Sequence, residues 1–185
     1  EVGADWIENL PARIAELERG WSLTAGRAFE ADNVSWVAPV QHADGSEAVL
    51  KIGFPDREAS LEADALRICD GRGMVRLLRA SEDGCALLLE RCVPGTSLWS
   101  LDEKQGDALG AELLRRLWCT PPVGVAFASL SDVATEWAES LPREAPSAGY
   151  DAALIARAVE TALELAATQQ ENVLLHGDFH PGNVL

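Results

Sequence analysis

The residues best suited to chemistry lie near the end of the chain, in the segment that runs from His176 to Asn183. The apolar residues 173–175 before it predict a buried strand, and the glycines and proline within it predict a tight turn. Catalytic side chains often lie on such loops. There the Asp178 carboxylate can accept a proton from an attacking hydroxyl, and the Asn183 amide oxygen can hold a divalent cation.

The spacing His-x-Asp-x-x-x-x-Asn is that of the catalytic loop of protein kinases, with Gly177 where those enzymes usually have arginine. In such a loop Asp178 orients the attacking hydroxyl and accepts its proton, while Asn183 binds Mg²⁺. We expect His176 to be structural, as a loop histidine that hydrogen bonds to the backbone. His180 is likewise expected to support the loop.

A kinase needs two further charged groups, and the chain has candidates for both. Lys51 lies within the apolar strand 48–52, where its ammonium group needs a partner unless it faces solvent, and both interpretations remain open. The helix predicted over 56–70 carries Glu58 and Glu62 on one face, and either carboxylate can reach Lys51. In a kinase such a lysine holds the ATP phosphates and pairs with a helix glutamate.

The elements that position these residues fall into two groups. A helix over 5–19 is followed by five strands in an antiparallel sheet, with the 56–70 helix between the third and fourth. After a linker at 92–97 the apolar spacing becomes helical. We therefore predict an α+β, protein-kinase-like bilobal fold. Its N-terminal nucleotide-binding lobe covers 1–91, with a leading helix over 1–20, and its mostly helical C-terminal lobe covers 98–185.

Two smaller predictions concern the helical part. Ser100 and Glu103 have the spacing of a capping box at the start of a helix. Trp118 and Trp137 recur at helical spacing and are expected in the core. The same is expected of Trp99, although its position just past the linker would also let it line a cleft.

Nucleotide contacts are predicted at two places. The segment joining the first two strands contains no glycine-rich phosphate loop, so Ser35 and Asn33 are the candidates there, together with backbone amides. A plain hairpin loop explains that segment equally well. Where the fifth strand runs into the linker, backbone groups of Glu90 and Cys92 are expected to meet adenine.

The composition narrows the class of partner. The formal net charge of −15 argues against nucleic acid and anionic membranes, which require basic patches, and would attract a cationic small molecule. A solvated acidic surface is the simpler alternative. The four cysteines show no CxxC pair or regular framework, so reduced thiols in a cytoplasmic protein are expected.

From about residue 20 to its end, the chain resembles the aminoglycoside phosphotransferase family of small-molecule kinases. The loop 176–185 is similar to that family's version of the motif, which has glycine where protein kinases have arginine. The resemblance extends to residues 48–52, 62–67, 70–78 and 87–91. Residues 70–78 are similar to the branch of streptomycin 6-phosphotransferases and hydroxyurea kinases.

The resemblance implies a kinase-like bilobal fold, ATP and Mg²⁺ as cofactors, and transfer of the γ-phosphate to a hydroxyl of a cationic antibiotic. Streptomycin, inactivated in antibiotic resistance, is the expected acceptor, and Glu62 is preferred to Glu58 as the partner of Lys51. The family's second Mg²⁺-binding aspartate is expected beyond Leu185, so we expect a truncated chain. The alternatives are a kinase of another small molecule, such as hydroxyurea, and a kinase-like protein that binds nucleotide without catalysis.

A different enzymatic interpretation treats His176, Asp178 and His180 as metal ligands for hydrolysis. A catalytic zinc site needs three or four such ligands. The other histidine of the chain, His42, is predicted in a hairpin turn, and the two loop histidines lie on a Pro/Gly turn instead of a helix face. The pattern therefore favours the kinase interpretation.

Overall fold

The structure, a computed structural model, describes residues 2–30, 35–55 and 57–185. The predicted contribution of Asn33 lies outside the described residues, as does the Glu58 side chain. In chain order the elements are α1 (Val2–Trp21), β1 (Leu23–Ala25), β2 (Ser35–His42), β3 (Glu47–Gly53), α2 (Arg57–Cys69), β4 (Leu77–Ala80), β5 (Ala86–Glu90), α3 (Glu103–Leu117), α4 (Leu130–Glu144) and α5 (Ala152–Ala167). Short 3₁₀ helices cover Leu98–Ser100, Ala145–Ala148 and Pro181–Asn183.

The described strands form one antiparallel sheet in the order β1-β2-β3-β5-β4, with β3 at its centre. At the middle of β3, Lys51 is paired with Val37 of β2 on one side and Leu87 of β5 on the other. The predicted α+β class and five-stranded antiparallel sheet are confirmed. The order of elements is consistent with a kinase-like fold.

Each face of the sheet is covered by one helix, as the alternation along β3 requires. Ala48, Leu50 and Ile52 point to one face and form a buried cluster with residues of the neighbouring strands and with Leu17 of α1. The other face carries residues of β4 and β5 that pack against Ala63 and Leu66 of α2. Lys51 alternates with Leu50 and Ile52 along the strand, so its side chain points to this second face, toward α2.

The chain divides into two compact units, Glu1–Cys119 with Leu174–Leu185, and Thr120–Val173. In the second unit α4 and α5 pack against each other, and Ile155 and Ala166 of α5 are buried. The lobe boundary at 92–97 stays a prediction. None of the helices in the described parts of the chain combines the length and apolar character that a membrane crossing requires.

The predicted capping box at Ser100 and Glu103 is wrong. The N-cap of α3 is Asp102, whose Oδ1 accepts a hydrogen bond from the Gln105 backbone N–H at 3.1 Å. Ser100 instead ends the preceding 3₁₀ helix. A capping box is present at α4, where Ser129 and Asp132 each accept a hydrogen bond from the other's backbone N–H.

The strand predicted before the catalytic loop is also wrong. Residues 173–175 have no strand partner in the described part of the chain, and the Leu175 side chain is half exposed. Their backbone is fixed by the Leu174 N–H, which donates to the Cys119 carbonyl at 2.8 Å. An apolar run indicates burial, but a strand also needs a neighbouring edge with which to pair.

The tryptophans predicted in the core are largely exposed. Trp118 and Trp137 are 50% and 49% exposed, and Trp99 is 70% exposed. Trp118 is the C-cap of α3, beyond the buried stripe of that helix, and Trp99 lies in the 3₁₀ helix Leu98–Ser100, which has no buried residue. Helical spacing therefore gave the wrong environment for Trp118 and Trp137, and the core position expected for Trp99 is also wrong.

Candidate active site

The first functional pair joins the central strand to the helix that packs beside it. Lys51 Nζ donates to both carboxylate oxygens of Glu62, at 2.7 and 2.8 Å. The two side chains are 27% and 32% exposed, so the pair lies at the edge of the core and remains accessible. Because an ammonium group has three donors, this geometry leaves one Lys51 N–H for another acceptor.

The second pair is held within the loop. Asn183 Nδ2 donates to the Asp178 carbonyl at 2.9 Å and to Asp178 Oδ2 at 3.0 Å. With its nitrogen occupied in this way, the Asn183 amide presents Oδ1 to another partner. An amide oxygen is a ligand that Mg²⁺ accepts alongside phosphate oxygens and water. Asn183 Oδ1 is therefore a donor that would suit a magnesium ion.

Asp178 is available for chemistry. Its side chain is 81% exposed, and the Asn183 contact leaves its other carboxylate oxygen, Oδ1, without a hydrogen bond among the described residues. A carboxylate fixed through one oxygen and open at the other can receive and orient a hydroxyl group.

Two histidines shape the loop. The Asp178 backbone N–H donates to His176 Nδ1 at 3.3 Å, and the Gly182 backbone N–H donates to His180 Nδ1 at 3.1 Å. Gly177 between them has a φ of +82°, a conformation that favours glycine. The backbone hydrogen bond predicted for His176 is confirmed. His180 also lies beside the carboxylate, with Nε2 3.8 Å from Asp178 Oδ2.

The pKa of His176 is influenced by charges of both pairs. Burial lowers the pKa of this imidazole, while the Asp178 and Glu62 carboxylates act to raise it and Lys51 acts to lower it further. Since charge interactions weaken with distance, His176 lies near enough to respond to charges of both pairs. His176 also lines a small cavity together with Ala65, Cys69, Met74, Leu117, Leu174 and Leu175.

Ser97 and Leu98, for which the sequence predicted no contact with the catalytic loop, form hydrogen bonds with it. Ser97 Oγ donates to the Pro181 carbonyl at 2.9 Å, and the Leu98 N–H donates to the Val184 carbonyl at 2.9 Å. The Phe179 ring packs where Gly110 of α3 has no side chain, 3.5 Å from the position of an added Cβ. The contacting residues are far apart in sequence; Ser97 and Pro181, for example, are separated by 84 positions. The nearest residue to which the sequence drew attention is Trp99.

The residues predicted to contact nucleotide lie at strand ends. Ser35 begins β2 and is paired with Gly53, and Glu90 ends β5. The Glu90 carboxylate accepts a hydrogen bond from the Arg76 N–H at 2.7 Å, so its side chain is engaged in holding β4 to β5. The Cys92 backbone N–H meets no acceptor among the described residues. Contacts of Ser35, Glu90 and Cys92 with nucleotide remain predictions.

The geometry argues against a hydrolytic zinc centre. In the described ranges no three histidine, cysteine, aspartate or glutamate side chains are arranged to hold a metal ion. Both loop histidines direct Nδ1 to backbone N–H groups, and His42 lies at the end of β2, where it is paired with Leu23 of β1.

Comparison with known proteins gives a consistent assignment. Residues 20–185 match the model of a family described as aminoglycoside/hydroxyurea antibiotic resistance kinase. Over its whole length the chain is similar to a streptomycin 6-kinase of Streptomyces glaucescens, with 36% identity and 61% of that protein covered. It is also similar to a hydroxyurea phosphotransferase of Kitasatospora aureofaciens, at 38% identity and 55% coverage, and to a streptomycin 6-kinase of Streptomyces griseus, at 34% and 61%.

The chain thus spans between 55% and 61% of the lengths of these curated relatives. No solved structure matches it significantly. The family match begins at residue 20, so most of α1 lies before it, whereas both functional pairs lie within it.

Proposed function

Because this chain belongs to the aminoglycoside/hydroxyurea antibiotic resistance kinase family, we propose that it carries the phosphoryl-transfer site of an ATP-dependent phosphotransferase acting on streptomycin. The observation that carries the proposal is the joint presence of the Lys51–Glu62 ion pair and the Asp178–Asn183 pair in one compact unit. Phosphoryl transfer depends mainly on positioning and charge stabilisation, and these are what the two pairs provide.

Lys51 has the role of holding phosphate. Glu62 fixes the ammonium group through two hydrogen bonds, and the remaining N–H, which has no acceptor among the described residues, can meet a phosphate oxygen. Ser35 and the backbone of Glu90 and Cys92 complete the proposed nucleotide contacts. The Cys92 N–H supports this, since it meets no acceptor among the described residues and is a backbone donor of the kind that adenine requires.

Asp178 has the role of the base. Its open carboxylate oxygen receives the acceptor hydroxyl, orients it toward the phosphorus and takes its proton, while the Asn183 amide holds the other oxygen in place. Asn183 would also bind Mg²⁺ through Oδ1, and bound Mg²⁺ supplies neutralisation of the phosphate charge. His176 and Gly177 hold Asp178 in position.

The charge of the chain supports a cationic acceptor such as streptomycin. A net charge of −15 favours the approach of a polycation. The exposed carboxylate of Asp178 adds negative potential at the position where the acceptor hydroxyl binds. Two of the named relatives are streptomycin 6-kinases. A second candidate acceptor is hydroxyurea, because the relative named for it has 38% identity.

A cytoplasmic location is part of the same proposal. It is supported by Cys69, Cys92 and Cys119, which form no disulfide among the described residues, since disulfides are rare where thiols are kept reduced. The partners proposed are small molecules, without nucleic acid or membrane.

The experiment is a phosphate-transfer assay with the full protein, ATP and Mg²⁺, in which streptomycin and hydroxyurea are offered separately and the products are identified by mass spectrometry. We expect phosphorylated streptomycin, formed about a thousandfold more slowly by an Asp178→Ala protein. Phosphorylation of hydroxyurea alone would favour the second candidate. Binding of ATP with transfer to neither acceptor would refute the catalytic proposal and favour a kinase-like protein that binds nucleotide without turnover.

A further inference from the structure

Trp99 is a large aromatic side chain that is exposed beside the catalytic loop. It is 70% exposed, more than Trp118 or Trp137. Its backbone is nevertheless fixed, because it lies in the 3₁₀ helix Leu98–Ser100 and its N–H donates to Ser97 Oγ at 3.3 Å. An exposed indole on a fixed backbone is well suited to stacking on a ligand.

The position of the Trp99 ring relative to the catalytic loop is defined through Gly182. A Cβ added to Gly182 would lie 3.0 Å from Trp99 Nε1 and 2.8 Å from His180 Cε1. His180 in turn has Nε2 3.8 Å from Asp178 Oδ2. The edge of the indole therefore lies against the loop at Gly182, where the His180 ring, close to the Asp178 carboxylate, also lies.

This placement puts the indole on the acceptor side of the proposed site. The acceptor hydroxyl has to reach Asp178, so the rest of the acceptor must lie over the groups that surround that carboxylate. The face of an indole is the most favourable aromatic surface for a cation, and guanidinium groups stack on it well. Streptomycin carries guanidinium groups, whereas hydroxyurea is small and uncharged.

We propose that Trp99 is a specificity-determining residue, whose indole face stacks on a guanidinium-bearing ring of the acceptor while the acceptor hydroxyl lies at Asp178. The assignment rests on the proposed function for its choice of ligand. It explains why an indole is held open to solvent beside the base by three contacts with the loop: Ser97 with Pro181, Leu98 with Val184, and Trp99 itself with Gly182.

The test compares Trp99→Ala, Trp99→Leu and Trp99→Phe in steady-state kinetics of the full protein. Trp99→Leu keeps apolar bulk without a π face, and Trp99→Phe keeps a ring. We expect the KM for streptomycin to rise about tenfold in the alanine and leucine variants and to recover in the phenylalanine variant. The KM for ATP and kcat should stay within about twofold of the wild type, because the contact is made equally in the ground state and the transition state.

Trp118→Ala is the matched control, since Trp118 is a half-exposed tryptophan of the same compact unit. It should leave the KM for streptomycin unchanged. An equal rise in the KM for ATP would overturn the assignment by placing the ring on the nucleotide. A fall in kcat with unchanged KM would overturn it by reducing Trp99 to a support of the loop, and unchanged kinetics in all three variants would also overturn it.

Calorimetric titration of streptomycin into the same proteins separates this inference from the proposed function. Binding that requires Trp99 but leads to no phosphate transfer would refute the proposed function and retain the role of Trp99. Phosphate transfer that is indifferent to Trp99 would refute the role of Trp99 alone. Absence of both binding and transfer in the wild type would refute both. Thermal unfolding of each variant shows whether any loss comes from destabilisation.

Discussion

The Lys51–Glu62 pair and the Asp178–Asn183 pair are built in opposite ways. The first joins two elements, β3 and α2, and its partners are about one-third exposed or less. The second joins two residues of one short loop, and Asp178 is 81% exposed. One pair therefore depends on the core that packs a helix onto a sheet, and the other depends on local hydrogen bonds.

The two pairs thus show two ways of positioning a charged side chain: by tertiary packing and by local hydrogen bonds. Lys51 and Glu62 meet because Ala63 and Leu66 of α2 are buried against β5, so any change in that packing moves the carboxylate. Asp178 and Asn183 meet because the turn brings them together, and the contacts from Ser97 and Leu98 then hold the turn. Mutations should affect the two pairs through different observables.

The largest effect is expected where the loop pair performs the chemistry. Asp178→Ala removes the proposed base, and kcat should fall by about a thousandfold, within the range for loss of a general base. The affinity for ATP should change little, because no phosphate contact is assigned to this carboxylate. Kinetics with a direct nucleotide-binding measurement checks both. Asp107→Ala, at an exposed position of α3, is the control. A variant that stays active would remove Asp178 from the role of base.

A smaller effect is expected for the strand–helix pair. Lys51→Met and Glu62→Gln should each lower kcat/KM for ATP by roughly tenfold to a hundredfold. The double variant should be little worse than the worse single variant, because either change disrupts the same unit. The control is Asp64→Asn, since Asp64 forms an exposed ion pair with Arg67 at 2.8 Å on the same helix. Additive losses in the double variant would mean that the two residues act independently.

The two pairs also differ in how far the sequence predicted them. The loop pair follows from spacing alone, because both residues belong to one turn and local geometry brings them together. For Lys51, the sequence indicated a helix carboxylate but left Glu58 and Glu62 equal, and only the family resemblance favoured Glu62. Which glutamate reaches Lys51 depends on how α2 packs against the sheet, and that packing is a tertiary property.

The predictions that were wrong also concerned features that depend on tertiary structure. Residues 173–175 are apolar, but the described chain provides no strand to pair with them. Helical spacing suggested burial for Trp118, yet the ring lies at the end of α3, where that spacing no longer corresponds to the packed face. The contacts of Ser97 and Leu98 with the loop could not be anticipated, because residues far apart in sequence gave no pattern linking them.

The dependence of the loop on close packing is tested by Gly182→Ala. The added Cβ would lie 2.8 Å from His180 Cε1 and 3.0 Å from Trp99 Nε1, so one of these rings must shift. We expect kcat/KM for the acceptor to fall roughly tenfold, because small displacements near reacting groups are costly, with little change in the KM for ATP. Gly110→Ala is the control, since its Cβ would meet Phe179 at an ordinary 3.5 Å. Equal activity of the two variants would show that the loop tolerates displacement.

The smallest effect concerns His176, whose pKa is influenced by charges of both pairs. Burial lowers the pKa of this imidazole below its ordinary value, so the folded protein favours the neutral ring. The folded state therefore loses stability as the pH falls from the unfolded-state value of about 6.5 toward the lower folded-state pKa. His176→Gln should remove this contribution and make the free energy of unfolding less dependent on pH below neutrality.

The expected difference between wild type and His176→Gln is less than about 1 kcal/mol, because the half-buried ring remains screened by solvent. Urea unfolding at several pH values between neutrality and mild acid measures it. The slope for His176→Gln should be shallower than that of the wild type. If the two slopes coincided, His176 would not be held neutral by burial, and the charges of Asp178, Glu62 and Lys51 would have to balance at that ring instead.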